Sequence, residues 1–340
     1  MQINGDLMIH FVISGRPGGV YDFARIVQAE MGADIVNLVP LSIGTITIGH
    51  IKIQAGDSVV LMMTGYEYSK RGTALWLLRA MEGQRHKIKK FGVFFHELYA
   101  FGPPWKSAFW LSPVQRHVVR RMAEMSDFWM TNREESAQWL CQHTKHKPHA
   151  VLPVFSTVGE PLLLPTVRKN RLVVFGSAGL RTKIYRTAGS ELFQWAKLQS
   201  LEIHDVGSPV TDTEVIDAQT ANNVIQHGRL EAGNISNLMR IALFGIITYP
   251  ISYIAKSSVF AAYCAHGLCS VILSEKYAPS DDLLAGQHYL PGVPTGLVDI
   301  DKTQRIGEDA WRWYQSHGIA CHVATLREFL GIQNLGEGKC

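Results

Sequence analysis

Residues 7–32 read LMIHFVISGRPGGVYDFARIVQAEMG. The first eight form a short apolar run, GRPGG stops it, and Val20, Phe23, Ile26 and Val27 then recur at the spacing of one helix face. Strand, glycine turn and helix form the repeating unit of a parallel sheet. The same order returns downstream. ADIVNLVPL (33–41), a ribbon-like TITIGHIKI (45–53) and SVVLMMTG (58–65) lead to a helix around ALWLLRAME and to the strand FGVFFH (91–96). Ser112-Pro113 has the N-cap and first-turn pattern of a helix whose face is Val114, Val118, Met122 and Met125. Asn132 with Glu135 has capping-box spacing, and HAVLPVF (149–155) closes the series.

Residues 156–170, STVGEPLLLPTVRKN, have two prolines and no helical period, as a linker would. A second alternation follows. RLVVFGS, LEIHDVGS, VIQHGRL, GIITYP and LCSVILS are strands separated by helical stretches, and helices at 301–316 and 323–331 end the chain. Two runs of alternating strands and helices predict an α/β protein with two Rossmann-like, doubly wound parallel sheets. The expected division is 1–155, a linker at 156–170, a second domain at 171–322, and a terminal helix and tail at 323–340 that pack back on the first domain. At 340 residues the chain is long enough for two cores.

Composition narrows the function classes. An apolar share of 46% with 18% charged residues is that of a globular chain. A formal net charge of +4 is too small to call for nucleic acid, although RHKIKK (85–90) and QRHVVRR (115–121) could meet phosphates or an anionic membrane surface. The longest apolar region, 243–255, is short for a span and contains Pro250. Five cysteines without metal-ligand spacing read as free thiols in a reducing cytosol, and no leader pattern opens the chain.

Ligands of open α/β sheets bind at the carboxyl ends of the strands, so the loops there are the candidates. Gly18 and Gly19 follow the first strand, where paired glycines admit a close ligand, although a tight turn would also select them. FGSAGLRTK (175–183) places Gly176, Arg181 and Lys183 in the same position of the second half. Lys256, Ser257 and Ser258 lead into an alanine-rich helix whose start suits a diphosphate, although serine is also a common N-cap. His96 and Glu97 end a strand and face opposite ways by alternation. Tyr99, Trp105, Phe109 and Trp110 follow them around Pro103-Pro104, as core, as a sugar-stacking surface or as the cover of a lid.

In this order the motifs resemble the GT-B glycosyltransferases, and within them the retaining family-4 (glycosyl transferases group 1) type. TGYEYSKRG, HELYAFGPPWKSAFW and KSSVFAAYCAHG together are similar to a subgroup that builds bacterial surface polysaccharides. The resemblance spans nearly the whole chain and implies two domains facing a cleft that holds a nucleotide-diphosphate sugar. It implies Gly18, Gly19 and Gly176 near the donor phosphates and His96 near the donor sugar. Arg181 and Lys183 would neutralise the diphosphate beside Lys256, Ser257 and Ser258, with Glu97, Tyr99 and Trp105 toward a glycan or lipid-linked acceptor. No cofactor, metal or nucleic acid is expected. The implied setting is cytoplasmic, with peripheral membrane contact. One departure stands out. The family commonly has Glu-x7-Glu where this chain has Ile254 and Ala262, which leaves open, beside the usual transferase, an altered donor or a catalytically degenerate GT-B glycan-binding or partner protein. A nucleotide-sugar epimerase is the third alternative. Glu67 or Glu97 would be the base if the transfer inverted.

Overall fold

The structure, a computed structural model, describes residues 8–16, 18–41, 53–100 and 103–332. They form two compact units, one of residues 1–153 with 319–340 and one of residues 154–318.

The first unit contains β1 (Ile9–Ser14), α1 (Gly19–Met31), β2 (Val36–Leu41), β3 (Ser58–Met63), α2 (Gly65–Tyr68), α3 (Leu75–Gln84), β4 (Lys90–Phe95), α4 (Ser107–Met125), β5 (Phe128–Thr131), α5 (Glu134–His143) and β6 (His149–Val151). The second contains β7 (Lys169–Phe175), α6 (Ala178–Leu198), β8 (Glu202–Val206), α7 (Thr213–Ala221), β9 (Ile225–Gly228), α8 (Ala232–Ile241), β10 (Ala242–Thr248), α9 (Ser258–Ala265), β11 (Cys269–Leu273), β12 (Tyr289–Pro291) and α10 (Ile300–Gln315). The last helix, α11 (Ile319–Leu330), belongs to the first unit, where Arg327 donates to the Met31 carbonyl at 3.1 Å.

Each unit holds a six-stranded parallel sheet among the described residues, ordered β2-β1-β3-β4-β5-β6 and β12-β11-β10-β7-β8-β9. The uniformly buried strands β1, β3, β10 and β11 explain the unbroken apolar runs, because helices cover both faces of such a sheet. In the second sheet, order reverses between β7 and β10, and Tyr263 of α9 locks that seam. Its hydroxyl donates to the Val173 and Ile246 carbonyls at 3.1 and 3.2 Å and accepts from the Phe175 N–H at 3.1 Å. Gly245 makes room for the ring, since a Cβ there would lie 2.7 Å from it.

Several expectations are corrected. Helix α4 begins at Ser107, not at Ser112-Pro113, and Pro113 lies inside it. The Asn132–Glu135 capping box does not form: Arg133 is the N-cap of α5, and it pairs with Glu135 instead. Residues of the expected linker carry specific bonds within the second unit, where Ser156 N donates to the Tyr314 hydroxyl at 2.7 Å and that hydroxyl donates to Glu160 at 2.5 Å. Cys141, Cys264 and Cys269 are free, but Cys321 is disulfide-bonded, against the reading of five free thiols. Cys340 and most of the ribbon at 45–53 lie outside the described residues. No helix among the described residues is long and apolar enough to cross a membrane.

Candidate functional site

The reversal of strand order between β7 and β10 is the switch point at which such a sheet opens a crevice at its carboxyl edge. Gly176 follows β7 there with φ +134°, a conformation that disfavours any side chain, and a Cβ on it would come 3.4 Å from Val259 of α9. The glycine turn after β7 and the first turn of α9 are therefore neighbours. Each adjoins a serine-capped helix start. Ser177 Oγ accepts from Leu180 N at 3.2 Å on α6, and Ser257 Oγ accepts from Phe260 N at 3.2 Å on α9. A cap satisfies one of the four orphan amides of a helix start, so first-turn N–H groups remain to meet an anion. Lys256 lies beside this turn, its ammonium 5.3 Å from the Tyr253 ring centre, and Ser258 is half-buried.

Arg181 and Lys183 do not form a pair. Two helical positions differ by about 200° around the axis, and the structure follows this: Arg181 is 1% exposed, while Lys183 is exposed. The Arg181 guanidinium is a tie between loops. It pairs with Asp205 of β8, donates to the Gly176 carbonyl at 3.1 Å and donates to the Ser208 carbonyl. Asp205 also accepts from Tyr185 at 3.0 Å and from Gln219 at 3.2 Å, and its burial raises its pKa against the pull of Arg181. Gly207 donates to the Gly228 carbonyl at 2.9 Å, and Arg229 donates to Ser208 Oγ at 2.9 Å. The ends of β7, β8 and β9 are thus joined into one shelf. A Cβ on Gly207 would sit 2.2 Å from the Gly176 oxygen, so that position must be glycine.

Asp205, Gly207, Ser208 and Arg229 escaped the sequence reading. The signal was there: LEIHDVGS ends in the same Gly-Ser as RLVVFGS. Ile254 and Ala262 are both 0% exposed, so neither position offers an acceptor for a ribose hydroxyl.

No protein-family model matches this chain, and no curated protein matches its sequence. Solved structures do. Anabaena HepE in complex with UDP superposes with a TM-score of 0.61 at 13% identity, covering 95% of this chain and 99% of that one. An α-glucosyltransferase bound to UDP and a DNA 13-mer gives 0.54 at 8% identity, over 96% and 100%. The pneumococcal O-GlcNAc transferase GtfA, with UDP and GlcNAc, gives 0.55 at 12% identity over 83% of this chain. The chain has the GT-B fold. It spans 58% of the length of GtfA.

In the first GT-B unit, Gly18 and Gly19 are exposed at the start of α1. Gly18 is extended, with φ 166°, neither lies in the left-handed region, and a Cβ on either would meet nothing within 4 Å, so folding alone does not demand glycine there. His96, at the carboxyl end of β4, is 8% exposed. Its N–H bonds the Met63 carbonyl at 3.0 Å, its ring stacks on Phe94 at 4.4 Å, and it meets Phe23 of α1 edge-on at 5.2 Å. Phe23 follows Gly18-Gly19 by one helical turn, so the glycine turn and His96 occupy the same edge of the sheet. Glu97, two residues past the end of β4, is exposed. Tyr99 is half-buried between Trp139 (5.1 Å between centres) and the Arg116 guanidinium (4.6 Å), a packed ring rather than an open one. Trp105 is 82% exposed.

Proposed function

We propose that this chain transfers a sugar from a nucleotide-diphosphate donor to a glycan or lipid-linked acceptor, with retention and without a metal, in the assembly of a surface polysaccharide. The observation that carries this reading is the contact of the Gly176 turn with the start of α9 at the switch point of the second sheet. Two serine-capped helix starts there face the place where a diphosphate would lie. GT-B relatives crystallised with UDP support a uridine donor.

In this reading the bond from the anomeric carbon to the diphosphate breaks, and a bond to the acceptor oxygen forms on the same face. The acceptor proton passes to the departing phosphate oxygen. Negative charge grows on that oxygen, and the helix starts with Lys256 and Lys183 oppose it. Arg181 acts one step back as a positioning residue, fixing the Gly176 carbonyl and hence the turn. Gly18 and Gly19 admit the phosphates, His96 meets the donor sugar, and Glu97 and Tyr99 border the acceptor.

The test is slow hydrolysis of nucleotide-sugars in the absence of acceptor. Release of sugar from one uridine donor, abolished in Gly18→Val and reduced in His96→Ala with nucleotide affinity retained, is the expected result. A protein that binds no nucleotide-sugar and hydrolyses none contradicts it. That result would favour a second reading, a degenerate GT-B partner protein, for which the apolar Ile254 and Ala262 are the motivating observation.

A further inference from the structure

The first unit carries a nucleophile that sugar transfer does not use. Of the free cysteines among the described residues, Cys264 and Cys269 are buried and Cys141 is exposed. Cys141 lies in the last turn of α5, and His149 opens β6, the edge strand of the first sheet. Cys141 Sγ is 3.7 Å from His149 Nε2, within reach of a sulfur hydrogen bond.

Strand register sets the imidazole in place. His149 pairs with Trp129 of β5, so the two side chains share a face of the sheet, and their rings stack at 4.4 Å and 13°. Trp129 is fully buried. Its indole N–H donates to Thr144 Oγ1 at 2.9 Å, and that hydroxyl donates to the Leu140 carbonyl at 2.8 Å. The surface on which His149 rests is thus held from inside the unit. The tautomer is set as well. His149 Nδ1 is 2.9 Å from the Lys147 carbonyl, which accepts and never donates, so Nδ1 carries the proton of the neutral ring. Nε2 keeps its lone pair toward Cys141, and the thiol is the donor. Nucleophile, base and an acceptor that orients the base are therefore in place, the arrangement that activates a weak nucleophile.

The flanking groups turn elsewhere. His143 Nδ1 donates to the Trp139 carbonyl at 2.8 Å with its ring against Trp139 at 4.2 Å, and the Lys147 ammonium donates to the Glu124 and Ser126 carbonyls. Lys145 and His146, on the turn between α5 and β6, are exposed.

We infer that Cys141 is a thiol-modification site, activated by His149, that takes up small disulfides as a mixed disulfide. His149 Nε2 accepts the thiol proton, and the Cys141 sulfur attacks one sulfur of the disulfide. The new S–S bond forms as the old one breaks, and the departing thiolate takes the proton back from Nε2. The pair lies at the amino end of β6, whereas His96 and the Gly18-Gly19 turn occupy the carboxyl edge, so modification here is independent of sugar transfer.

The experiment treats the folded full chain with 2-hydroxyethyl disulfide at neutral pH and follows the Cys141 peptide by mass spectrometry. This probe is uncharged, so the nearby cations do not draw it in. Wild type is compared with His149→Ala and with wild type in urea. An ordinary thiol is only a few per cent thiolate at neutral pH, and a more readily formed thiolate is a weaker nucleophile, so the net gain is about threefold or more. Folded wild-type Cys141 should react faster than both references by that factor, Cys264 and Cys269 should stay unmodified, and dithiothreitol should reverse the adduct. The melting temperature of His149→Ala checks its folding, and the urea comparison decides the matter without that variant. Three results would overturn the inference: no mixed disulfide at Cys141, equal rates in wild type and His149→Ala, or a folded rate no higher than that in urea.

Discussion

The two sheets share a plan and differ at their carboxyl edges. In the second unit the ends of β7, β8 and β9 are knotted together by Arg181, Asp205, Ser208 and Arg229, and two of the glycines there are sterically or conformationally required. In the first unit Gly18 and Gly19 stand in open space, and exposed aromatic rings crown α4. A rigid edge costs no reorganisation when a charged ligand arrives, as a diphosphate site needs. An open, apolar edge suits a larger and less polar partner. The two edges of one architecture thus differ in how strongly each is tied.

Removing a tie should break the contrast. Arg181→Ala leaves Asp205 buried and uncompensated, and losing one partner of a buried pair costs about 3–5 kcal/mol. Urea unfolding should show that loss in the second unit, whereas Lys183→Ala, at an exposed position, should leave the midpoint unchanged and slow transfer. Equal stability of Arg181→Ala and wild type would refute the tie.

Acid should affect both units alike. His322 in the first and His266 in the second are held down to about 4 by burial, His266 also by nearby Arg168. Each is therefore neutral in the folded protein and takes up a proton on unfolding below its ordinary pKa of 6.5. Stability should be level above that value and fall as pH drops toward 4, by about 1.4 kcal/mol per pH unit for each histidine. A denaturation midpoint that stays constant between neutral pH and pH 5 would contradict this.

Smaller effects sharpen the comparison. Ser257→Ala should cost about 1 kcal/mol through its lost cap. Gly18→Ala should leave the melting temperature unchanged, since its Cβ meets nothing, while transfer declines if a ligand approaches there. A large drop in melting temperature for Gly18→Ala would make that glycine structural.

Much of this was legible in the chain. Apolar runs ending in glycine gave the strands, and their double series gave two sheets, because strands buried on both faces need no alternation. The stretch at 94–113 was harder. Ser112-Pro113 carries a helix-start signal, yet α4 begins five residues earlier, because first-turn propensity is weak beside the packing of Val118, Val119 and Met122. Arg181 looked like a free cation because sequence spacing does not show which face of a helix is buried. Asp205 is 24 positions away, and no local pattern links the two. Exposure of Trp105 and Trp110 was not decided by the sequence, since an aromatic-rich stretch reads equally as core or as a stacking surface.

The most direct test is calorimetric titration of UDP into the wild type and Gly176→Val. The account predicts binding to the wild type and at least a roughly tenfold loss in the variant, whose new side chain would occupy a positive-φ turn beside Val259. Failure of the wild type to bind UDP or any other nucleoside diphosphate, or equal affinity in both proteins, would contradict a donor site at the switch point.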